Sequence, residues 1–300
     1  KISSFTGNKN SFIGNSGVQN PIGITKVSLD NENGLGMDSC IAFEVNIELN
    51  PYEKRELSIC LGEEASKLDM KNIAYKYSNI SNCKQELSNV KKNWYEFVNR
   101  LQVKTPIESI NILLNGWIVY QTIVSRLMGR TGYYQSGGAF GFRDQLQDTL
   151  GIGMIDKDIM KKQIIKHSRH QFIEGDVEHW WHDETKKGIR TRFSDDLLWL
   201  VYIVNEYIKI SDDYEILKIK TPYLKGNLLE PNVMEKYELY ESSEIEGSIY
   251  EHCIKAIEKS LDFGEHGLPK IGSGDWNDGF SNLGCKGKGE SVWLGFFLYK

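Results

Sequence analysis

The stretch Cys40-Ile-Ala-Phe-Glu-Val-Asn-Ile-Glu-Leu49 alternates apolar residues with small or polar ones. Asn50-Pro51-Tyr52 interrupts it, and Leu57, Ile59 and Leu61 resume the alternation. A period of two is that of a strand with one buried face, and Asn-Pro starts turns, so the segment reads as an antiparallel hairpin. From Gly62-Glu63-Glu64 through Arg100 the sequence becomes charged and helix-forming, with Trp94, Phe97 and Leu101 on one apolar face. That change divides the chain. Upstream, glycines at 7, 14, 17, 23, 34 and 36 suit short strands and loops of the same β domain, which starts as if already under way.

Downstream the pattern is helical. Thr105-Pro106 has the favoured N-cap and first-turn arrangement, and Ile110, Leu113, Leu114, Trp117 and Ile118 continue an apolar face. Helical segments are expected at about 106–128, 144–151, 157–173, 194–210, 246–262 and 290–300, with the unusual residues in long loops between them. Such alternation suggests an all-helical toroid whose loops build a cleft at one end. The last segment, Glu290 to Lys300, is a strongly apolar helix without a C-cap, as expected of an excerpt from a larger polypeptide.

At 300 residues and 40% hydrophobic content the chain can bury a large core in about two domains. The net charge of −5 argues against nucleic acid or an anionic membrane as main partner. Nowhere does an apolar run reach about 18 residues, and the five cysteines are odd in number and widely spaced. Reduced thiols and a cytoplasmic location follow as expectations.

The loops carry the chemistry. Gly272-Ser-Gly-Asp-Trp-Asn-Asp-Gly279 crowds two carboxylates and an indole between glycines. An indole face stacks on the C–H face of a pyranose and shields a nearby carboxyl from water, so Asp275 or Asp278 is a candidate general acid. The plainer alternative is a turn. In Gly132-Tyr-Tyr-Gln-Ser-Gly-Gly-Ala-Phe-Gly-Phe-Arg-Asp144, Arg143 and Asp144 offer donors and acceptors to vicinal hydroxyls; the alternative is an Arg–Asp ion pair tying loop to helix. The glycines lack the G-K-[ST] ending of a nucleotide cradle.

Glu174-Gly-Asp-Val-Glu-His-Trp-Trp-His-Asp183 brings His179, His182 and Asp183 near tandem tryptophans. No H-E-x-x-H helix surrounds them, and Trp180 and Trp181 suit a sugar better than an ion. Ser194-Asp195-Asp196 before Leu197-Leu-Trp-Leu200 is first a helix N-terminus. Arg126 and Arg130 either hold an oxyanion or solvate a helix end.

Together the strings Asn115–Gln121, Tyr134–Asp148, Gly175–His182, Arg190–Leu200, His266–Pro269, Gly274–Gly279 and Gly289–Trp293 resemble glycoside hydrolase family 94, the cellobiose and chitobiose phosphorylases. They resemble most its branch acting on β-1,2-glucans: oligoglucan phosphorylases and the phosphorylase region of cyclic β-1,2-glucan synthases. The resemblance implies the C-terminal part of a β-sandwich over 1–62, a helical linker over 63–104 and the first part of an (α/α)6 barrel over 105–300.

It further implies inverting phosphorolysis of β-1,2-linked gluco-oligosaccharides to α-D-glucose 1-phosphate. Asp278 matches the general acid, and no catalytic base is required. Arg143, Asp144 and Trp276, with Gln135, Trp180 and Trp181, fall to substrate binding and Arg126 to phosphate. The spacing from Arg126 to Asp144 is one residue longer than in the family. Ser136-Gly-Gly138 stands where disaccharide phosphorylases have a further arginine, which speaks against plain cellobiose. No metal or organic cofactor is implied; phosphate is co-substrate. The expected partners are the oligosaccharide and phosphate, without nucleic acid or membrane, and a homodimer is left open. The rival readings are a cyclic glucan synthase, an inverting hydrolase and an inactive carbohydrate-binding protein.

Overall fold

The computed structural model describes residues 2–62, 64, 66–129 and 137–300, which form two compact units, 1–90 and 91–300. In the first unit, β1 (Ser4–Asn8) pairs antiparallel with β2 (Ser39–Glu44), Phe5 opposite Phe43. Asn8 ends β1 and caps α1 (Lys9–Ile13), its side chain accepting from the Asn10 and Ser11 amides. Ser66 likewise caps α2 (Lys67–Tyr77), and α3 (Ile80–Val98) follows.

The expected hairpin is corrected here. The chain turns at Pro51 and Tyr52, but only Ser39–Glu44 is a strand, its partner is β1, and 57–61 forms none. Ile41, Phe43, Ile59 and Leu61 are exposed. An alternating pattern makes a strand only where a second layer covers its apolar face, and no such layer lies over these residues among those described.

The second unit is built on helices. Residues 108–128 are one continuous helix: α4 (Glu108–Ile112) and α5 (Ile118–Gln121) alternate with wider π turns at Leu113–Trp117 and Thr122–Met128. It starts later than Thr105-Pro106 suggests; the Thr105 hydroxyl instead accepts from the Ile107 amide. Val119, Ile123 and Leu127 pack with Ile152, half-covered by Trp94 and Phe97, whereas Leu101 is exposed.

The main core lies among four helices: α6 (Phe142–Gly153), α7 (Lys157–Ser168), α8 (Asp196–Ser211) and α9 (Ile249–Ser260). Phe142, Leu146, Met160, Ile164, Leu200, Ile203 and Ala256 meet there. α8 is apolar on most sides because helices cover most of it. A last helix, α10 (Val292–Tyr299), inserts Leu294 and packs Phe297 on Trp199.

The connecting segments, expected as loops, hold most of the sheet. β3 (Phe140–Gly141), β4 (Glu178–His182), β5 (Lys187–Thr191) and β7 (Glu235–Leu239) form one antiparallel sheet in that order. β6 (Lys220–Lys225) pairs with β8 (Glu241–Ser248), whose last residue Ser248 makes a capping box with Glu251 of α9. The polar edge strands carry too few apolar alternations to announce themselves. No helix among the described residues is long and apolar enough to cross a membrane.

Candidate functional site

Two backbones in close contact hold the Gly274-Asp-Trp-Asn-Asp-Gly279 loop. The Ser273 amide donates to the Arg192 carbonyl (2.9 Å) and the Ser194 amide to that of Gly274 (3.0 Å). Gly272 has φ +61°, and a Cβ there would strike the Arg192 carbonyl oxygen, so a glycine is required. The Ser194 hydroxyl also donates to the Ile271 and Gly274 carbonyls. This corrects its reading as a helix cap: α8 begins at Asp196 without a side-chain cap.

The two aspartates of the loop have different surroundings. Asp275 is buried; its Oδ1 accepts from the Asn277 amide (3.0 Å) and its Oδ2 from the Ser291 hydroxyl (2.6 Å). Ser291 also caps α10, so Asp275 fastens the loop to that helix. Asp278 opens a 3-10 turn with a side chain 56% exposed, next to the half-exposed Trp276 indole.

Arg143, in the first turn of α6, joins this loop to α8. Its Nη2 donates to Asp278 Oδ1 (2.9 Å) and Oδ2 (3.0 Å), and its Nη1 to the Trp276 carbonyl (3.2 Å) and, at 3.4 Å, to the Asp275 carbonyl and Asp195 Oδ2. Burial works against the guanidinium charge, but Asp195, Asp196 and Asp278 outweigh it and hold the proton more firmly than usual. The expected alternative of an Arg143–Asp144 ion pair is replaced by these contacts. Burial and then the Asp196 charge raise Asp195, opposed by Arg143. Beside them His179 Nδ1 lies 2.7 Å from Asp196 Oδ2 and the ring stacks on Phe193. Burial lowers His179, yet Asp196 outweighs it and the net shift is upward.

The remaining candidates separate. Asp144 is half-buried, with Oδ2 only 2.7 Å from where a Gly141 Cβ would stand. Arg126 pairs with Asp148 (2.8 Å), and Gln145 links the Arg126 carbonyl to the Gly141 amide beside Arg143. Trp180 is half-buried next to His182 and Tyr237. Trp181 is a correction: it is 1% exposed, stacks on His170 at 3.7 Å and donates to Asp183, so it belongs to the core and cannot reach a sugar. Gln135, Arg130 and Ser136 lie outside the described residues.

His179, His182 and Asp183 do not converge. His182 turns to the Gly137 carbonyl and Tyr237, and Asp183 to Lys166 and Trp181. From sequence the Asp195–Asp196 pair reads first as a helix start, with any binding role secondary. A double carboxylate opening an otherwise apolar helix calls for a cation or a retained proton once buried, and that is the available signal.

Helices that carry the core, with loops that gather carboxylates, a guanidinium and an exposed indole, define a carbohydrate-active class of domain. The comparisons agree: residues 93–300 match the Glycosyl hydrolase 94 superfamily, catalytic domain, and residues 1–80 match the Glycosyl hydrolase 94, supersandwich domain. The chain belongs to this family. It is 34% identical over 300 residues to the cyclic beta-(1,2)-glucan synthase NdvB of Rhizobium meliloti (strain 1021), covering 99% of this chain and 11% of the relative. It is 26% identical over 294 residues to the solabiose phosphorylase of Paenibacillus borealis, covering 97% of this chain and 34% of that one. With the 1,2-beta-oligoglucan phosphorylase of Listeria innocua it shares 25% over 182 residues, 58% of this chain and 16% of the relative. The chain thus spans between about a tenth and a third of these relatives' length.

Proposed function

We propose that the chain is part of an inverting phosphorylase of β-1,2-linked gluco-oligosaccharides, with the second unit contributing to an (α/α)6 barrel. The observation that carries this reading is the exposed Asp278 beside Trp276 and Arg143, in a family whose named relatives include phosphorylases. Asp278 protonates the glycosidic oxygen as its bond to the anomeric carbon breaks, and phosphate forms the new C–O bond from the opposite face. The β linkage becomes α-D-glucose 1-phosphate, and the glucan leaves one unit shorter.

In this reading Arg143, Asp144 and Trp276 hold the non-reducing-end glucosyl unit, and Gln135 and Trp180 contact the substrate elsewhere. Arg126 contributes to the phosphate site by exchanging Asp148 for the anion. Phosphate is co-substrate, no metal or organic cofactor takes part, and the protein works in the cytoplasm, with a homodimer open as its assembly. A second reading, the phosphorylase region of a cyclic glucan synthase, is favoured by the 34% identity to NdvB.

The test is incubation of the full-length protein with a β-1,2-oligoglucan. Release of α-glucose 1-phosphate only in the presence of phosphate supports phosphorolysis. Equal release of free glucose without phosphate establishes hydrolysis instead.

A further inference from the structure

The four-stranded sheet lines up Gly141, Trp180, Ile189 and Tyr237 as successive cross-strand partners. Residues directly opposite one another share a face of a sheet. The Trp180 and Tyr237 rings meet over the buried Ile189, with centroids 5.3 Å apart and planes tilted by 39°. The next row, Phe140, Trp181 and Gly188, faces the core, where Phe140 stacks on Trp181 and Glu178 lies over Gly188. Buried and open faces are therefore distinct.

The open face continues into the ionic cluster. The register shifts between Glu178 and Trp180, and His179 between them pairs with the buried Asp196. At the Gly141 end of the row the missing side chain is replaced by the Asp144 carboxylate. Hydroxyl-binding groups edge the aromatic pair: His182 lies 5.5 Å from Trp180, ring to ring, and its Nδ1 is 3.3 Å from the Tyr237 hydroxyl. Tyr237 is 46% exposed.

We propose that Trp180 and Tyr237 form a platform for glucosyl units on the reducing side of the scissile bond. The inference rests on the phosphorylase reading above. Two aromatic faces flanked by hydrogen-bonding groups match the alternate apolar faces and hydroxyl rims of pyranose rings. The row begins at Asp144, the candidate hydroxyl acceptor for the unit taken by phosphate, so a longer substrate continues along it. Sequence alone offered Trp180 without its partner, because Tyr237 lies 57 positions away on an edge strand.

The test compares phosphorolysis of a β-1,2-linked tetrasaccharide and of the disaccharide sophorose by the full-length protein. Tyr237→Ala should lower the tetrasaccharide-to-disaccharide ratio of kcat/KM about tenfold, and Tyr237→Phe, which keeps the ring, about twofold or less. Trp180→Ala should act in the same direction; Tyr237, being more exposed, keeps the test open if that variant does not fold. An unchanged ratio in Tyr237→Ala overturns the platform. Calorimetric titration with the tetrasaccharide alone separates the two claims. If the native protein forms no glucose 1-phosphate but Tyr237→Ala still weakens binding about tenfold, the reaction is wrong and the platform stands.

Discussion

Arg143 Nη2 stands 2.9 Å from Asp278 Oδ1 and 3.0 Å from Oδ2, so a single guanidinium nitrogen donates to both oxygens of the candidate acid. A carboxyl that gives its proton to a glycosidic oxygen cannot keep both oxygens as acceptors. For Asp278 to act, Arg143 must turn part of its hydrogen bonding toward a sugar hydroxyl, which couples substrate recognition to release of the acid.

In the proposed reaction Arg143 carries two roles that substitution separates. Arg143→Ala should lower kcat/KM roughly 10²- to 10³-fold and cost about 3 kcal/mol of stability, because Asp195 loses its buried cation. Arg143→Lys keeps a charge without the planar fork and should recover most of the stability but little of the rate. Steady-state kinetics alongside chemical denaturation check both; near-native kinetics in Arg143→Ala would reduce it to a scaffold residue.

Asp275 should behave as a fastener. Asp275→Asn and Ser291→Ala both weaken the 2.6 Å bond that ties the loop to α10, at about 1–3 kcal/mol each. Because the two substitutions share this contact, while Ser291 also caps α10, the double variant should be less destabilised than the sum. Additive losses in a denaturation cycle would show that the two side chains act independently.

Trp181 and Trp180 are neighbours in sequence with opposite fates. Trp181→Ala should cost about 3–5 kcal/mol, seen as a lower midpoint in urea, since its ring fills the core against Phe140 and His170. Sugar binding by Trp181→Phe should stay near native. Weakened binding at undiminished stability would return Trp181 to the site.

Glu178 predicts a pH dependence. Burial, with the Asp183 charge adding to it, raises its carboxyl from 4.5 to about 8, while burial holds its partner His170 well below its usual value. The folded protein thus keeps a Glu178 proton that the unfolded chain releases. The stability this confers is complete below about pH 4.5 and is lost as pH rises through about 8. Glu178→Gln, with no proton to lose, should gain stability relative to the native protein between those limits in thermal melts. A constant difference across that range would mean that Glu178 is not held protonated.

Sequence reading located most of the helices because their apolar faces repeat over several turns, as in Leu197–Tyr207 on α8. It misjudged the hairpin because Ile41 and Phe43 alternate correctly while the layer that would bury them is a tertiary matter. It missed β5 and β7 because Lys187–Thr191 and Glu235–Leu239 are short and have few apolar residues, and their pairing joins segments far apart in the chain. At the site, Trp276, Arg143 and Asp278 were legible as residue types in glycine-flanked loops. The Asp195 contact to Arg143 spans 52 positions and the Asp278 contact 135, and no local pattern encodes them.

The central claim is that Asp278 donates a proton to the leaving oxygen. The most direct measurement compares Asp278→Asn with the native full-length protein on two substrates. One is a β-1,2-oligoglucan, whose leaving alkoxide needs a proton; the other is a dinitrophenyl β-glucoside, whose leaving group is stable as an anion. Loss of about 10²- to 10⁴-fold on the glucan, with the aryl glucoside retained within about tenfold, is the predicted result. Native activity on the glucan, or equal loss on both substrates, would contradict it.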